Sequence, residues 1–240
     1  MHKVKFILLI ILFSSCESDL FNNSETVVVE KEISDFNTII CNDIFDIVLT
    51  QDTICRVFIE GESDIVSKIN ISVKNDSLLL DNSNSFRWLG SYDRIVINIS
   101  VKDLHNLKLE APCNVKSINS IETYYLSIIA KADMSDINIS MNTDNFYFVN
   151  SATSGGNFVF SGNTINLAFW IRGSGKISTE DLNCKSADII SSTIADSYIS
   201  VENNLKVKIE KDGKVYYKGN PQKIVTEDDH TQNNLISLSN

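Results

Sequence analysis

The second half of the chain repeats a short strand and a turn about every twenty residues. Strands with alternating apolar residues start at positions 107, 126, 146, 167, 187 and 205, so successive starts are 19, 20, 21, 20 and 18 residues apart. Small residues follow the strands, as in Gly173-Ser174-Gly175. One such repeat buries little apolar surface, but stacked repeats pair their backbones around a continuous core. The spacing predicts a β-solenoid of about six rungs over residues 104–222.

The alternation within a rung predicts which side chains are buried. Phe169 and Ile171 share one side of a strand and are expected to point into the core, whereas Trp170 and Arg172 fall on the outer side. An ordinary antiparallel sandwich with irregular loops would also contain alternating strands. The nearly constant spacing of the rungs favours the solenoid.

Residues 26–103 contain alternating strands without this repeat. The turn Gln51-Asp52-Thr53 lies between two apolar strands and predicts a hairpin, and Asn75-Asp76 predicts a second one. Residues 64–69 are expected to form one helical turn. The sequence therefore predicts an all-β fold, in which an N-terminal antiparallel hairpin region leads into a single-chain β-solenoid.

The first sixteen residues resemble the export signal of a bacterial lipoprotein. A basic start precedes an apolar run over residues 6–13, which is too short to span a bilayer. Ser14 and Ser15 then precede Cys16, as at the site where such proteins are cleaved and acylated. We predict a signal peptide over residues 1–15 and lipidation of Cys16. An ordinary secretory signal with a free cysteine is the alternative.

Residues 16–25 are polar and predict a solvated tether between lipid and domain. Glu17 and Asp19 resemble the export tags of some surface-displayed lipoproteins. We therefore expect a lipid-anchored protein of the outer membrane, on its surface or its periplasmic face.

The net charge of −10 at pH 7 limits the classes of partner. Binding to phosphate backbones needs a basic face, so nucleic acid is not expected as a partner. Electrostatic docking on anionic lipid is disfavoured for the same reason. The expected partners are the membrane, through the lipid anchor, and an unidentified glycan or protein, and the oligomeric state is left open.

Four cysteines remain besides Cys16, namely Cys41, Cys55, Cys113 and Cys184. In an oxidising compartment they could form two disulfides by one of three connectivities. The chain has no Cys-x-x-Cys spacing, so a zinc or thioredoxin-like site is not expected. The pattern favours buried free cysteines that pack as small apolar residues.

Two groups of aromatic and arginine residues are candidate ligand contacts, because these residue types contribute most of the binding energy at interfaces. One lies in the longest segment without strand alternation, and the other on the outer side of a rung, where it could form a cation–π pair across neighbouring rungs. The two groups are Phe86, Arg87, Trp88 and Tyr92, and Trp170 and Arg172. A long loop that folds its own aromatics onto the domain edge is the alternative for the first group.

Two triplets resemble an O-glycosylation acceptor of some Gram-negative bacteria. They are Asp52-Thr53-Ile54 and Asp76-Ser77-Leu78, both at predicted turns. Thr53 and Ser77 are therefore candidate glycosylation sites.

Acidic residues near the turns raise the alternative of a polysaccharide-active enzyme. Asp133, Asp136, Asp188, Asp196 and Asp212 do not recur at one offset within the rungs, and the chain contains no Gly-x-Ser-x-Gly motif. The calcium repeat Gly-Gly-x-Gly-x-Asp is also missing. We expect no catalytic residue, no metal and no cofactor, and a structural envelope component is a third hypothesis.

The polar tail, residues 223–240, is expected to be a disordered end or a capping segment for the last rung.

Several segments resemble the head GIN domain family of auto-transporter adhesin heads. Phe36-x-x-Ile39 and Phe45-Asp46-Ile47-x-Leu49 match the opening of the family pattern, and Tyr217-Lys218-Gly219-Asn220-Pro221 matches its closing motif. The resemblance covers residues 36 to 222. It implies an all-β adhesive module at the cell surface and carries over no catalytic residues.

Overall fold

The computed structural model describes residues 25–83 and 94–238 of the 240-residue chain. Within these residues the strands pair into one sheet of seventeen strands. The strands are β1 Thr26–Lys31, β2 Thr38–Cys41, β3 Asp46–Gln51, β4 Arg56–Glu62, β5 Ile69–Lys74, β6 Ser77–Asn82, β7 Val96–Val101, β8 Asn106–Leu109, β9 Asn114–Ser117, β10 Ile121–Ala130, β11 Asp136–Asn150, β12 Asn157–Gly173, β13 Lys176–Thr193, β14 Ser197–Ile209, β15 Val215–Lys218, β16 Lys223–Thr226 and β17 Leu235–Ser237.

The helices are α1, Ser63–Val66, and α2, Asp229–Asn234. The first confirms the predicted helical turn. Across the described ranges, no helix has the length and apolar character needed to cross a bilayer.

The sheet winds into a β-solenoid of about seven turns, which confirms the predicted fold class. Two of its faces are used below. Face A is formed by β2, β8, the end of β10, the second halves of β11 to β14, and β16. Face B is formed by β3, β9, the first halves of β11 to β14, β15 and β17. Each long strand from β11 to β14 bends between the faces and therefore belongs to two turns.

Parallel pairing in register stacks equivalent side chains into columns through the core. One column runs from β6 through the face A strands from β2 to β14, and all of its members are buried. It consists of Leu78, Ile39, Leu107, Ile128, Phe148, Phe169, Ile189 and Val207. The rings of Phe148 and Phe158 lie 4.7 Å apart across the core, so the two faces pack directly against each other.

The strand starts at 107 and 126 predict that Leu107 pairs with Leu126, but the structure has a different register. Leu107 pairs with Ile128 and not with Leu126, which pairs with Phe146 one turn further along. Leu126 and Ile128 are both buried on the same side of β10. A slip by two residues leaves the apolar pattern unchanged, so the sequence alone could not distinguish the two registers.

The solenoid extends beyond the predicted rungs at both ends. Strands β2 and β3 form its first turn, since they pair in parallel with β8 and β9. Residues 223–237 continue it, because β16 and β17 pair in parallel with β14 and β15. The predicted polar tail therefore supplies a capping segment through residue 237.

The insertion between β3 and β8, residues 52–105, closes the N-terminal end of the solenoid. Strands β6 and β7 pair in parallel with β2 and β3, on the edges opposite to β8 and β9. Strand β4 then pairs antiparallel with both β7 and β1. The predicted hairpin at Asn75-Asp76 is confirmed as the β5–β6 pair, with positive φ angles of 48° and 56° at its two turn residues.

The hairpin predicted around Gln51-Asp52-Thr53 is wrong. Strands β3 and β4 are not neighbours, because β7 lies between them and pairs with both. Both edges of β3 are occupied by β7 and β9. The residues of the turn predicted that β3 pairs with the next strand in the chain. In the parallel stack, however, β3 has no free edge with which β4 could pair.

Two motif glycines are required by close approach between turns. Gly219 has a φ of 102°, and a Cβ atom there would lie 2.0 Å from the carbonyl oxygen of Val201 in the preceding turn. Gly173 has a φ of 70°, and its Cβ would lie 2.3 Å from the carbonyl oxygen of Ser154. Any larger residue at these positions would push the turns apart.

We expect Ile171→Asp to lower the free energy of unfolding by about 4 kcal/mol or more, because it buries a carboxylate without a partner. Ile171 is fully buried. Ile165→Asp is the matched control, since Ile165 is 41% exposed and should cost no more than about 0.5 kcal/mol. Chemical denaturation monitored by circular dichroism measures both. Equal losses in the two variants would contradict the assigned alternation.

Candidate functional site

The outer surface of face A presents a tryptophan in the middle of the solenoid. Trp170 lies in β12 between Val149 of β11 and Ile190 of β13, and its side chain points outward. It is 37% exposed, whereas its neighbours in the chain, Phe169 and Ile171, are buried. The predicted alternation in this strand is therefore confirmed.

Hydrogen bonds across three successive turns fix the orientation of the Trp170 indole. Its Nε1–H donates to Ser192 Oγ at 2.9 Å, and the Ser192 hydroxyl donates to Glu210 Oε2 at 2.5 Å. Lys208 Nζ lies 3.1 Å from the other oxygen of Glu210. The hydroxyl and the ammonium group hold the pKa of Glu210 below its ordinary value of 4.5. The ring is thus held by an ordered chain of donors and acceptors.

Arg172 stacks on the same indole. Its guanidinium carbon lies 4.3 Å from the ring centroid, and its Nε–H donates to the backbone oxygen of Asn150 at 2.6 Å. The backbone N–H of Arg172 donates to Asn150 Oδ1 at 2.7 Å. The predicted cation–π pair exists, but it forms within one strand and not across neighbouring rungs. Residues two apart in a strand share a face, and this places the two side chains together.

A groove of about 390 Å³ opens on face A next to Trp170. Its floor is Ala168, which is two residues before Trp170 and is flanked on the adjacent strands by Tyr147 and Asp188. Tyr125 and Asn166 also line it. The small side chain of Ala168 between larger neighbours creates the depression.

The polar groups of this groove are held by contacts between turns. Asn166 Nδ2 donates to Asn145 Oδ1 at 3.0 Å, and Asp188 lies 3.3 Å from Lys206 Nζ. Together with the two tyrosine rings they form a surface of aromatic planes, amides and one carboxylate. Such a surface can stack on apolar faces of a ligand and hydrogen-bond its hydroxyl groups.

The sequence reasoning missed Tyr125 and Tyr147 as part of this surface. Tyr147 occupies the outward position that corresponds to Ala168 in the next rung and is 36% exposed. Alignment of the rungs by their outward positions, and not only by their apolar ones, would have detected it.

An asparagine ladder lines the corner before face A. Asn163 Nδ2 donates to Asn142 Oδ1 at 2.8 Å, and Asn183 Nδ2 donates to Asn163 Oδ1 at 3.2 Å. Asn142 Nδ2 donates in turn to Glu122 Oε1 at 2.6 Å. Because these amides hydrogen-bond to one another between successive turns, we infer that the ladder stabilises the fold and does not bind a ligand.

The remaining predicted site residues have different outcomes. Cys16, Phe86, Arg87, Trp88 and Tyr92 lie outside the described residues. Thr53 is exposed at the turn after β3, and Ser77 is half-buried in β6 with its hydroxyl 3.3 Å from the Asn75 carbonyl oxygen. Glycosylation of either residue stays a prediction.

Three of the turn carboxylates considered for catalysis make hydrogen bonds that join neighbouring turns. Asp136 accepts hydrogen bonds from the backbone and side chain of Asn157, and Asp196 accepts one from the backbone N–H of Lys214. Asp133 accepts one from the Thr153 hydroxyl. In the described part of the chain, no three histidine, cysteine or acidic side chains group so that they could hold a metal ion.

Comparison with known families identifies the domain. Residues 35–221 match the family model described as "putative auto-transporter adhesin, head GIN domain". The chain belongs to this family. The match covers the N-terminal insertion and the solenoid from β2 to β15, and the resemblance inferred from the sequence motifs is confirmed. No curated protein matches the chain.

Solved structures share the fold of this head GIN domain. A crystal structure of a putative adhesin from Bacteroides fragilis NCTC 9343 aligns with a TM-score of 0.78 at 18% identity, over 89% of this chain and 94% of that chain. One of a putative adhesin from Parabacteroides merdae ATCC 43184 aligns with 0.61 at 16% identity, over 90% and 98%. A third, of a putative lipid binding protein from Parabacteroides distasonis ATCC 8503, aligns with 0.55 at 16% identity, over 91% and 98%.

We expect Ser192→Ala to raise the pKa of Glu210 toward its ordinary value, because the variant removes the hydroxyl that stabilises the carboxylate. In the wild type a lowered pKa adds stability above the unfolded-state pKa, and this stability is lost as the pH falls through the folded-state pKa. The variant should therefore lose part of this acid-dependent contribution. NMR titration of the Glu210 side chain measures the pKa directly. Ser178→Ala on face B is the control and should leave the pKa of Glu210 unchanged.

Proposed function

We propose that this head GIN domain is a non-catalytic binding module of the cell envelope that binds an extended glycan through face A. The observation that carries the proposal is Trp170, half-exposed and fixed by hydrogen bonds, beside the groove over Ala168. The adhesin family and the adhesin neighbours support a binding role over a catalytic one.

The chemistry of the face suits a sugar chain better than a charged polymer. Aromatic rings stack on the apolar faces of sugars, and the side chains of Asn166 and Asp188 can bond to hydroxyl groups. Successive strands lie about 4.8 Å apart, so a ligand that runs across them meets a new row of side chains at each turn. Because hydrogen bonds already hold Trp170, little side-chain entropy is lost when a ligand stacks on it.

The same proposal includes a lipid anchor at Cys16 in the outer membrane. A polar tether over residues 16–25 would connect the anchor to β1, which starts at Thr26. Several acyl chains anchor a protein stably, whereas a single chain binds marginally. The anchor would hold the domain at the outer membrane, on its surface or its periplasmic face.

We expect Trp170→Ala to weaken glycan binding by about 1–3 kcal/mol, the usual cost of removing an aromatic anchor. The measurement is a glycan and matrix-protein array with residues 26–240, followed by calorimetric titration of the best ligand. Tyr216→Ala is the control, because Tyr216 lies on face B and stacks on Tyr198 at 5.0 Å. A ligand that binds both variants and the wild type equally would exclude face A as its site.

We expect the mature protein to begin at an acylated Cys16. Ser14 and Ser15 precede this cysteine after a short apolar run, which is the pattern that lipoprotein processing requires. Mass spectrometry of the N-terminal peptide from the cell envelope measures the modification. Cys16→Ser should release the protein from the membrane fraction. A mature chain that starts elsewhere with an unmodified Cys16 would refute the anchor.

A further inference from the structure

Two cysteines from different turns meet in the core near the N-terminal end of the solenoid. Cys41 is the last residue of β2, and Cys113 lies between β8 and β9 in the next turn. Their Sγ atoms are 3.0 Å apart, although the residues are 72 positions apart in the sequence. Both side chains are almost completely buried.

We propose that Cys41 and Cys113 form a disulfide bond that joins the first two turns of the solenoid. A disulfide has an S–S distance of about 2.05 Å, so the two sulfur atoms need to approach by about 1 Å. Both also contact the carbonyl oxygen of Asp43, at 3.1 Å and 3.3 Å, so they already lie on the same side of one peptide group. This pairing selects one partner for each of these cysteines from the connectivities that the sequence left open.

The other two cysteines have different surroundings. Cys184 lies in β13, its thiol donates to the carbonyl oxygen of Ser200 at 3.0 Å, and burial raises its pKa to about 12. Cys55 is half-buried near the Asp35 carboxylate, which contacts Lys102 Nζ at 2.6 Å. Among the described contacts of Cys184 there is no second sulfur atom, so we expect Cys184 to remain reduced.

The bond forms by thiol–disulfide exchange with a disulfide donor such as oxidised glutathione. One thiolate attacks the donor and forms a mixed disulfide, releasing one glutathione thiolate. The second cysteine thiolate then displaces the other glutathione and closes the bond. The protein loses two electrons, the donor is reduced to two thiols, and the two cysteine protons end on those thiols. Because both sulfur atoms are buried, the exchange takes place while the chain folds.

The position of the bond has a structural reason. The insertion of residues 52–105 separates β3 from β8 in the sequence, so no short connection joins the first turn to the second. Lateral contacts, which include the β2–β8 and β3–β9 pairs, hold the two turns together. A cross-link that closes a long loop lowers the entropy of the unfolded chain. The bond would therefore hold the end of β2 against the segment between β8 and β9.

The test is oxidative refolding of the full chain. Reduced protein is unfolded in guanidinium chloride, refolded with oxidised glutathione, unfolded again and alkylated with N-ethylmaleimide without reductant. We expect peptide mapping to find the Cys41 and Cys113 peptides linked, with maleimide on Cys55 and Cys184, and on Cys16 where it carries no acyl chain. Maleimide on both Cys41 and Cys113, or a link from either of them to any other cysteine, would overturn the proposal.

A second measurement uses thermal unfolding of the oxidised protein with and without dithiothreitol. We expect the reductant to lower the melting temperature of the wild type by about 10 °C. The Cys41→Ser, Cys113→Ser double variant should lose this dependence, and the Cys55→Ser control should keep it. Equal melting temperatures of the wild type with and without reductant would contradict the stabilising role. The wild-type comparison needs no variant to fold, and neither measurement depends on glycan binding or on the lipid anchor.

Discussion

The structure depends on parallel backbone pairing between successive turns in a fixed register. This pairing places Phe148, Phe169 and Ile189 in one buried column, and the same ladder places Tyr147, Ala168 and Asp188 in one outward row. The register of the strands thus determines both which side chains stack in the core and which lie side by side on the outer surface. The glycine positions follow from it as well, since the backbone of Gly219 lies directly against that of Val201.

The candidate binding surface is a product of the same constraint. Trp170, Ser192 and Glu210 come from successive turns, and only their lateral alignment brings the indole, hydroxyl and carboxylate into one hydrogen-bonded chain. Because these side chains stand on the walls of the solenoid and not on loops, the surface is as rigid as the sheet that carries it. Adding or removing a turn would lengthen or shorten this surface without changing its local geometry.

The features that follow from a short repeat in the sequence were predicted correctly. Strand pairing between residues far apart in the sequence was not. The twenty-residue spacing revealed the solenoid, and the alternation around Phe169 and Ile171 assigned the outward position of Trp170. The partner of β3 was mispredicted, because a turn at Gln51-Asp52-Thr53 carries no information about β7. The contact between Cys41 and Cys113 could not be predicted either, because the two residues are 72 positions apart in the sequence and meet only in the folded solenoid. The aromatic segment at residues 86–92 lies outside the described residues, so its predicted role is still open.

Because of the insertion of residues 52–105, the contacts at the N-terminal end of the solenoid join residues much farther apart in the sequence than the contacts at the other end. Later turns pair residues about twenty positions apart, as between Asn142 and Asn163, whereas Thr38 pairs with Asn106 over 68 positions. Loops that close over short distances form faster than long ones, so the later turns should assemble first. During synthesis β2 and β3 emerge before β8 and β9 exist. Strand β2 is therefore made early, can pair with β6 before β8 follows it, and docks on a solenoid that grows from the other end.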